Sequence, residues 1–269
     1  MGKSSRPPRN PQAGTDRKAK IEAVAAQGRG GVNKIIVATV VAVVAIIAVV
    51  TGVILNQRSA TDAITAGGKA VPAGTTMGQG LPAFTDATVV TGAPTLEVFE
   101  DFQCPACKIF EDAMGETIAK LGTEGKVKVV YHIKTFLDDN LRNDSSMRSG
   151  IGALCAADAG KFQPYHDAVY ANQPAKEGDG WSDAQLRSFA EGAGISGAAL
   201  TTWDACVKAK KYENYLTAVE EQSGKDGVTR TPTLRLNGKD IELTSLVAAD
   251  GKSYDPAKLT EAITAATTK

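Results

Sequence analysis

The chain has 269 residues, of which 22% are charged and 43% apolar, a composition typical of folded proteins rather than of a mainly disordered chain. Lys and Arg together number 30, as do Asp and Glu, which excludes a nucleic-acid-binding protein that works through overall basicity. Residues 1–34 nevertheless hold eight basic against two acidic residues, whereas residues 86–269 hold 20 against 27. We therefore expect the two ends of the chain to lie in different surroundings.

The N-terminal third predicts a membrane anchor. Residues 1–34 are rich in Arg, Lys, Pro and Gly without a helical or strand period, and they predict a disordered tail. Residues 35–55 carry no charge, and as a helix they would span about 30 Å, the thickness of the hydrocarbon layer. They predict a single transmembrane helix. A cleavable signal peptide is the alternative, although its apolar region is usually only about 7–15 residues long.

The basic flank predicts the orientation of this anchor. Because positive charges stay on the cytoplasmic side, residues 1–34 are expected in the cytoplasm and the chain after residue 55 outside it. Residues 56–85 are rich in Ala, Gly, Thr and Pro and predict a flexible linker. The expected localisation is the cell membrane, with one span and an extracytoplasmic folded domain.

From residue 86 onwards the pattern predicts an α/β domain, with a helical insert over about residues 140–226. One face of the first predicted helix, residues 104–121, carries Phe110, Met114, Ile118 and Leu121. The other predicted elements are strands at residues 94–102 and 127–133, a hairpin of residues 233–236 and 241–243, and a closing helix at 256–267.

The segment Cys104-Pro105-Ala106-Cys107 follows a predicted strand and opens a predicted helix. In that context a C-x-x-C pair indicates thiol–disulfide exchange. Backbone N–H groups and the dipole at a helix N-terminus favour the Cys104 thiolate, and Pro105 suits the first helical position. Cys104 is then the exposed, attacking sulfur and Cys107 the buried resolving partner.

Two other interpretations of these cysteines remain open at this point. The pair could form half of a zinc site completed by Cys155 and Cys206, although zinc sites usually join two closely spaced pairs. It could also be a purely structural disulfide.

Three segments resemble the DsbA-like thiol–disulfide oxidoreductases, a branch of the thioredoxin fold. Residues 100–107 (EDFQCPAC) resemble the active-site segment of that family, residues 155–168 its first insert helices, and residues 231–238 its cis-proline loop. The resemblance covers about residues 88–269 and is closest to actinobacterial members. It implies a thioredoxin-like fold with an inserted helical domain, here preceded by the transmembrane helix.

The resemblance also implies a role for Thr231 and Pro232. Their peptide bond is expected to be cis and to lie beside the cysteine pair, with the Thr231 backbone free to pair with an extended substrate. Spacing alone would favour a trans bond. Many strong oxidants of the family have His where this chain has Ala106, so we expect a less depressed pKa for Cys104.

Cys155 and Cys206 are expected to form a structural disulfide, because leftover thiols outside the membrane tend to oxidise to each other. It would close a loop of about 50 residues, worth roughly 3–4 kcal/mol. His132 and His166 are expected to be structural, and the sequence predicts neither a metal site nor a cofactor.

Glu100 and Asp101 precede Cys104 by four and three residues. We expect them to be solvated carboxylates at the end of a strand. The alternative is that one of them is a buried acid that transfers protons, as in relatives of thioredoxin.

These features predict a monomeric, membrane-anchored thiol oxidase that donates its disulfide to reduced, unfolded extracytoplasmic proteins. The resemblance implies reoxidation by a quinone-linked membrane partner of the DsbB or vitamin K epoxide reductase type. A disulfide reductase or isomerase on the same fold is one alternative. A non-catalytic thioredoxin-like chaperone or binding module is another, although the intact cysteine pair disfavours it.

Overall fold

A computed structural model describes residues 70–267 of the chain. The predicted tail, the predicted transmembrane segment at residues 35–55 and most of the predicted linker lie outside the described residues. Within residues 70–267, no helix is both long enough and apolar enough to cross a membrane.

The described part is a five-stranded sheet with helices, and the strands lie in the order β1-β3-β2-β4-β5. The strands are β1 (Leu81–Ala83), β2 (Thr95–Glu100), β3 (Lys128–Ile133), β4 (Thr233–Leu236) and β5 (Lys239–Ile241). The helices are α1 (Pro105–Thr123), α2 (Phe136–Leu141), α3 (Ser145–Asp158), α4 (Phe162–Ala171), α5 (Asp183–Gly192), α6 (Gly197–Lys208), α7 (Glu213–Lys225) and α8 (Pro256–Ala266), with a 3-10 turn at Leu243–Leu246.

The central strand β2 runs parallel to β3 and antiparallel to β4. Helix α1 crosses over between the two parallel strands. Its predicted apolar face is buried against the sheet, since Phe110, Met114 and Ile118 have no solvent exposure. A β-α-β unit followed by β-β-α, with helices inserted between, is the thioredoxin-like α/β fold that the sequence predicts.

The helical insertion lies between β3 and β4 and comprises helices α2 to α7. It starts at Phe136, slightly before the predicted residue 140. Its core is aromatic, and Tyr165, Tyr170 and Trp203 are buried in it. The insertion packs against the thioredoxin part because α4 contacts α1 and α7 contacts β3.

Two boundaries differ from the sequence prediction. The folded domain begins before residue 86, because Leu81–Ala83 forms β1 and pairs antiparallel with β3. The second hairpin strand is Lys239–Ile241 rather than residues 241–243. Asn237 and Gly238 both have positive φ, 51° and 75°, and form a two-residue turn, so the return strand starts directly after them.

Candidate active site

The cysteine pair lies at the start of α1, directly after the loop that leaves β2. Cys104 is the N-cap residue with an extended backbone, and Pro105 occupies the first helical turn. The Cys104 N–H donates to the Asp101 carbonyl at 2.9 Å, which closes the loop. The sulfur of Cys104 therefore lies at the positive end of the α1 dipole.

The two cysteines, both free thiols here, differ in access to solvent. Cys104 is 8% exposed, whereas Cys107 has no exposure, so only Cys104 can be approached from outside. The sequence predicted this division, but Cys104 is less exposed than expected. A substrate must come close to the surface around it to reach the sulfur.

The environment of Cys104 stabilises its thiolate. The Cys107 thiol, hydrogen-bonded to it, is the main cause that lowers the pKa of Cys104 to about 6, against the opposing effect of burial. The Thr231 side chain and the N–H groups of Cys107 and Ala106 lower it further. Ala106 thus contributes through its backbone. Cys104 is mostly thiolate at neutral pH, the form that reacts in disulfide exchange.

Cys107 has the opposite electrostatics. Burial raises the pKa of Cys107 well above its usual value, and the nearby Cys104 and Glu100 raise it further. A thiolate produced on Cys107 is therefore costly unless it receives a proton. The pair combines a stable outer thiolate with an inner sulfur that needs a proton donor.

Thr231 and Pro232 lie beside this pair. The Thr231–Pro232 peptide bond is cis. The Cys104 thiol donates to the Thr231 carbonyl, with the sulfur 3.6 Å from the oxygen. The structure thus brings the four predicted residues Cys104, Cys107, Thr231 and Pro232 to one place, although 127 residues separate the first from Thr231.

Asp101 is buried, contrary to the expectation of a solvated carboxylate. It accepts hydrogen bonds from the Ser146 hydroxyl at 2.6 Å, the Gln103 N–H at 2.9 Å and the Leu137 N–H at 3.3 Å. Burial outweighs these bonds and raises the pKa of Asp101 to about 7. Asp101 connects the active-site loop to the helical insertion, a role with no local signal in the sequence.

Glu100 is also buried, and its partner is His166 of α4. The His166 Nε2 lies 2.6 Å from Glu100 Oε1, and His166 Nδ1 lies 3.1 Å from Asp167 Oδ1. Glu111 of α1 completes the group. Burial and the charge of Glu100 raise the pKa of Glu111 to about 8. The expectation that Glu100 is solvated is therefore wrong.

Within residues 70–267, the buried side chains of Glu100, Glu111 and His166 form a group that could hold a metal ion. Ligand atoms of Glu100, Glu111 and His166 all lie within 4.8 Å of one another. The sequence analysis did not find this cluster. One signal was available, because His166 falls on the same helical face as the buried Phe162, Tyr165 and Val169.

A second residue missed in the sequence is Gln173. Its side-chain amide donates to the Phe102 carbonyl at 2.8 Å and to the Cys104 carbonyl at 3.0 Å. It therefore holds the loop that carries the reactive sulfur. Nothing in the sequence around Gln173 points to this role.

Cys155 and Cys206 form a disulfide between α3 and α6, with a Cα–Cα distance of 6.0 Å. Neither belongs to the cluster around Cys104. This arrangement disagrees with a zinc site built from all four cysteines, because two of the four sulfurs are bonded to each other.

Comparison with known proteins agrees with this geometry. The family model described as thioredoxin matches residues 86–263. Reduced DsbA from Mycobacterium tuberculosis is 28% identical, with a TM-score of 0.55 over 69% of this chain and 90% of that chain. DsbG from the same organism, a disulfide bond oxidoreductase, has the same identity and TM-score and is covered over 85% of its chain.

A more distant structure shares the fold alone. MdbA, a thiol-disulfide oxidoreductase from Actinomyces oris, is 20% identical, with a TM-score of 0.55 over 66% of this chain and 83% of that chain. The search of curated proteins found no match. Because the family model matches more than half of its length, the chain belongs to the thioredoxin family, and the neighbours that are 28% identical identify it as a DsbA-like thiol–disulfide oxidoreductase.

Proposed function

We propose that this oxidoreductase works as an oxidase, which gives its Cys104–Cys107 disulfide to reduced, unfolded proteins outside the membrane. The low pKa of Cys104 carries the proposal. A stabilised Cys104 thiolate favours the reduced form of the pair, and this makes the disulfide more readily given away. The N-terminal segment at residues 35–55 would hold the domain at the membrane.

In the proposed reaction, a substrate thiolate attacks the sulfur of Cys104 in the oxidised pair. The Cys104–Cys107 bond breaks, a mixed disulfide forms on Cys104, and the electron pair remains on Cys107. A second substrate thiolate then attacks the substrate sulfur of the mixed disulfide and releases the Cys104 thiolate. The substrate gains a disulfide, and the pair gains two electrons and must be reoxidised.

The exposed surface near the pair suits an unfolded partner. Ile109, in the second turn of α1, is 60% exposed, which is unusual for a large apolar residue in this domain. Together with the backbone of Thr231, whose carbonyl oxygen lies 3.6 Å from the Cys104 sulfur, it would offer a partner an apolar contact and a strand-pairing site. For reoxidation we propose a quinone-linked membrane partner of the DsbB or vitamin K epoxide reductase type.

The reduction potential of the Cys104–Cys107 pair tests the direction of electron flow. The full chain in detergent micelles is equilibrated with glutathione buffers, and the fraction oxidised is read by alkylation and mass spectrometry. We expect a reduction potential above about −200 mV. Such a value would be nearer to that of DsbA, about −120 mV, than to that of thioredoxin, about −270 mV. A potential at or below about −270 mV would contradict the oxidase and favour a reductase.

A Cys104→Ser variant separates catalysis from simple binding. We expect it to lose all transfer of disulfide to a reduced peptide, while Cys155 and Cys206 stay bonded. A chaperone module would be supported instead by two results together. The wild-type chain would show no disulfide exchange, and Cys104→Ser would protect unfolded proteins from aggregation as well as the wild type does.

A further inference from the structure

The buried group of Glu100, Glu111 and His166 joins three elements at one point of the interior. Glu100 is the last residue of β2, Glu111 lies on α1, and His166 lies on α4 of the insertion. The three residues are 1%, 9% and 0% exposed. Two ionised carboxyl groups beside one imidazole bring an excess of negative charge into the interior, which is costly unless a positive charge balances it.

Two oxygen atoms of this group are buried without a partner. Neither Glu100 Oε2 nor Glu111 Oε1 has a hydrogen-bond partner within residues 70–267. Unpaired buried polar atoms are rare in folded proteins, and a bound ion or water molecule is one of the causes that explain them. The ligand atoms of the three side chains lie within 4.8 Å of one another. The group therefore offers unused oxygen ligands around one point.

The opposite side of the imidazole is held in the way that is usual for metal-binding histidines. His166 Nδ1 lies 3.1 Å from Asp167 Oδ1, and the Gln163 amide donates to the same oxygen at 2.8 Å. A carboxylate that accepts from one ring nitrogen leaves the lone pair of the other nitrogen for a metal ion. Here that other nitrogen is Nε2, which lies 2.6 Å from Glu100 Oε1.

The surroundings of the group are apolar and tightly packed. Four aromatic rings lie with their centroids 4.9 to 5.6 Å from that of the imidazole, those of Phe102, Tyr131, Phe162 and Tyr170. On α1, Gly115 makes room for the Glu111 carboxyl, because a Cβ at this position would lie 2.8 Å from Glu111 Oε2. An apolar shell of this kind keeps water away and strengthens the attraction between an ion and its ligands.

We propose that Glu100, Glu111 and His166 form a structural binding site for a divalent transition-metal ion, with Zn²⁺ as the ion that suits them best. Imidazole nitrogen and carboxylate oxygen are both zinc ligands, whereas Mg²⁺ and Ca²⁺ prefer sites built from oxygen alone. The two charges of the ion balance the two carboxylates. Its bonds replace the hydrogen bond between Glu100 and His166, and the proton of that bond leaves to solvent.

The size of the group is compatible with such an ion. Zinc lies about 2.0–2.2 Å from nitrogen and oxygen ligands, so its ligand atoms lie about 3–4 Å from one another. A separation of up to 4.8 Å therefore needs only a small closing movement. Because the ligands come together only when β2, α1 and α4 are in place, the ion would bind as the chain folds and stabilise the contact between the insertion and the sheet.

The test measures the zinc that the oxidised full chain holds in detergent micelles. Oxidation places all four cysteines in disulfides, so no thiolate competes for the ion, and His132 and His166 are the only histidines of the chain. The protein is produced in medium that contains zinc, oxidised, and dialysed against metal-free buffer. Elemental mass spectrometry counts the ions per chain, and X-ray absorption reports their ligands.

We expect about one Zn²⁺ per wild-type chain, with ligands at about 2.0–2.2 Å and no sulfur at about 2.3 Å. Glu111→Gln, which preserves the size of the side chain, should retain less zinc by a factor of at least about ten. Glu116→Gln, at an exposed acid of the same helix, is the matched control and should retain all of it. His132→Gln should also retain it, although His132 is buried and lies 3.2 Å from Glu97.

Zinc should also raise the midpoint of thermal unfolding. At a free zinc concentration about 100 times the Kd, the expected rise is about 5–10 °C for the wild type and for Glu116→Gln. The rise should be absent in Glu111→Gln. An excess of Mg²⁺ or Ca²⁺ should neither displace the zinc nor raise the midpoint.

A wild-type chain that retains no zinc would overturn the proposal, as would equal retention by Glu111→Gln and the wild type. A sulfur ligand, or loss of the zinc in His132→Gln, would place the ion elsewhere and would also reject the site. If Glu111→Gln does not fold, the ligands seen by X-ray absorption and the behaviour of His132→Gln decide. None of these outcomes depends on the direction of electron flow at Cys104.

Discussion

Asp101 illustrates how a single residue joins two parts of the molecule. Its carboxyl accepts from the loop at Gln103 and from the insertion at Ser146 and Leu137, and its carbonyl accepts from the Cys104 N–H. Three donors would ordinarily lower the pKa of a carboxyl group. The raised pKa of about 7 shows that burial dominates over those bonds.

This raised pKa predicts a pH dependence of stability. A buried acid with a raised pKa costs nothing while protonated, so its penalty develops as the pH rises from about 4 to about 7. The shift of about three units corresponds to roughly 4 kcal/mol. Between pH 4 and pH 7, we therefore expect the unfolding free energy of Asp101→Asn to rise relative to that of the wild type by up to about 4 kcal/mol. The measurement is urea unfolding of the full chain.

The matched control is Asp112→Asn, since Asp112 is an exposed acid on α1. The stability of Asp101→Asn relative to this control should increase from pH 4 to pH 7. A constant difference between Asp101→Asn and wild type from pH 4 to pH 8 would mean that Asp101 is ionised throughout, and the burial argument would fail.

At the scale of elements, the helix and strand types could be predicted from periodicity. The face of α1 formed by Phe110, Met114 and Ile118 follows directly from a 3.6-residue repeat. Strand β1 could not be predicted in this way, because three residues, Leu81–Ala83, are too few to show alternation. Its position is decided by pairing with β3, a contact about 50 residues away along the chain.

The Cys155–Cys206 disulfide connects two of these elements, α3 and α6, across 51 residues of sequence. In the chain-entropy model, a loop of that length contributes about 4 kcal/mol by restricting the unfolded chain. We expect the double variant Cys155→Ala, Cys206→Ala to lose about 3–4 kcal/mol of unfolding free energy in urea. Its rate of exchange at Cys104 should stay at the wild-type value.

The comparison for that variant is the wild-type chain in the same buffer without reductant, in which the Cys155–Cys206 bond is intact. If the double variant unfolds at the same urea concentration as the wild type without reductant, the bridge does not stabilise the fold. Peptide mapping of the non-reduced chain should show the two cysteines in one linked peptide pair.

At the scale of the whole molecule, the charge on Cys104 couples redox state to folding. Its pKa is lowered from 9.0 to about 6, so the thiolate stabilises the folded, reduced protein above pH 9, and this stabilisation is lost as the pH falls through 6. We expect the reduced full chain to lose about 2 kcal/mol of unfolding free energy from this source between pH 8 and pH 5.

The comparison is with Cys104→Ser in the same reducing buffer, because it lacks the titrating group and leaves the other acids in place. The difference between the two curves should grow as the pH rises from 5 to 8. A difference that does not depend on pH would show that Cys104 is not a stabilised thiolate, and the oxidase would lose its main support.

Only the part of the candidate site whose residues are close together in the sequence could be predicted. Cys104, Pro105 and Cys107 stand together, and their position between strand and helix is enough to predict exchange. The pairing of Glu100 with His166 joins residues 66 positions apart, and their burial depends on how the insertion packs onto the sheet. No short-range pattern carries that information.

Under the proposed function, the Cys155–Cys206 disulfide would make the protein one of its own substrates. A freshly synthesised chain emerges with four thiols, and one pair must be joined before the insertion is complete. Under the proposed function, a mature copy at the same membrane has the reactive disulfide to do this. An existing copy would then form the Cys155–Cys206 disulfide of each newly made copy. Formation of the complete protein would thus depend on copies that are already active.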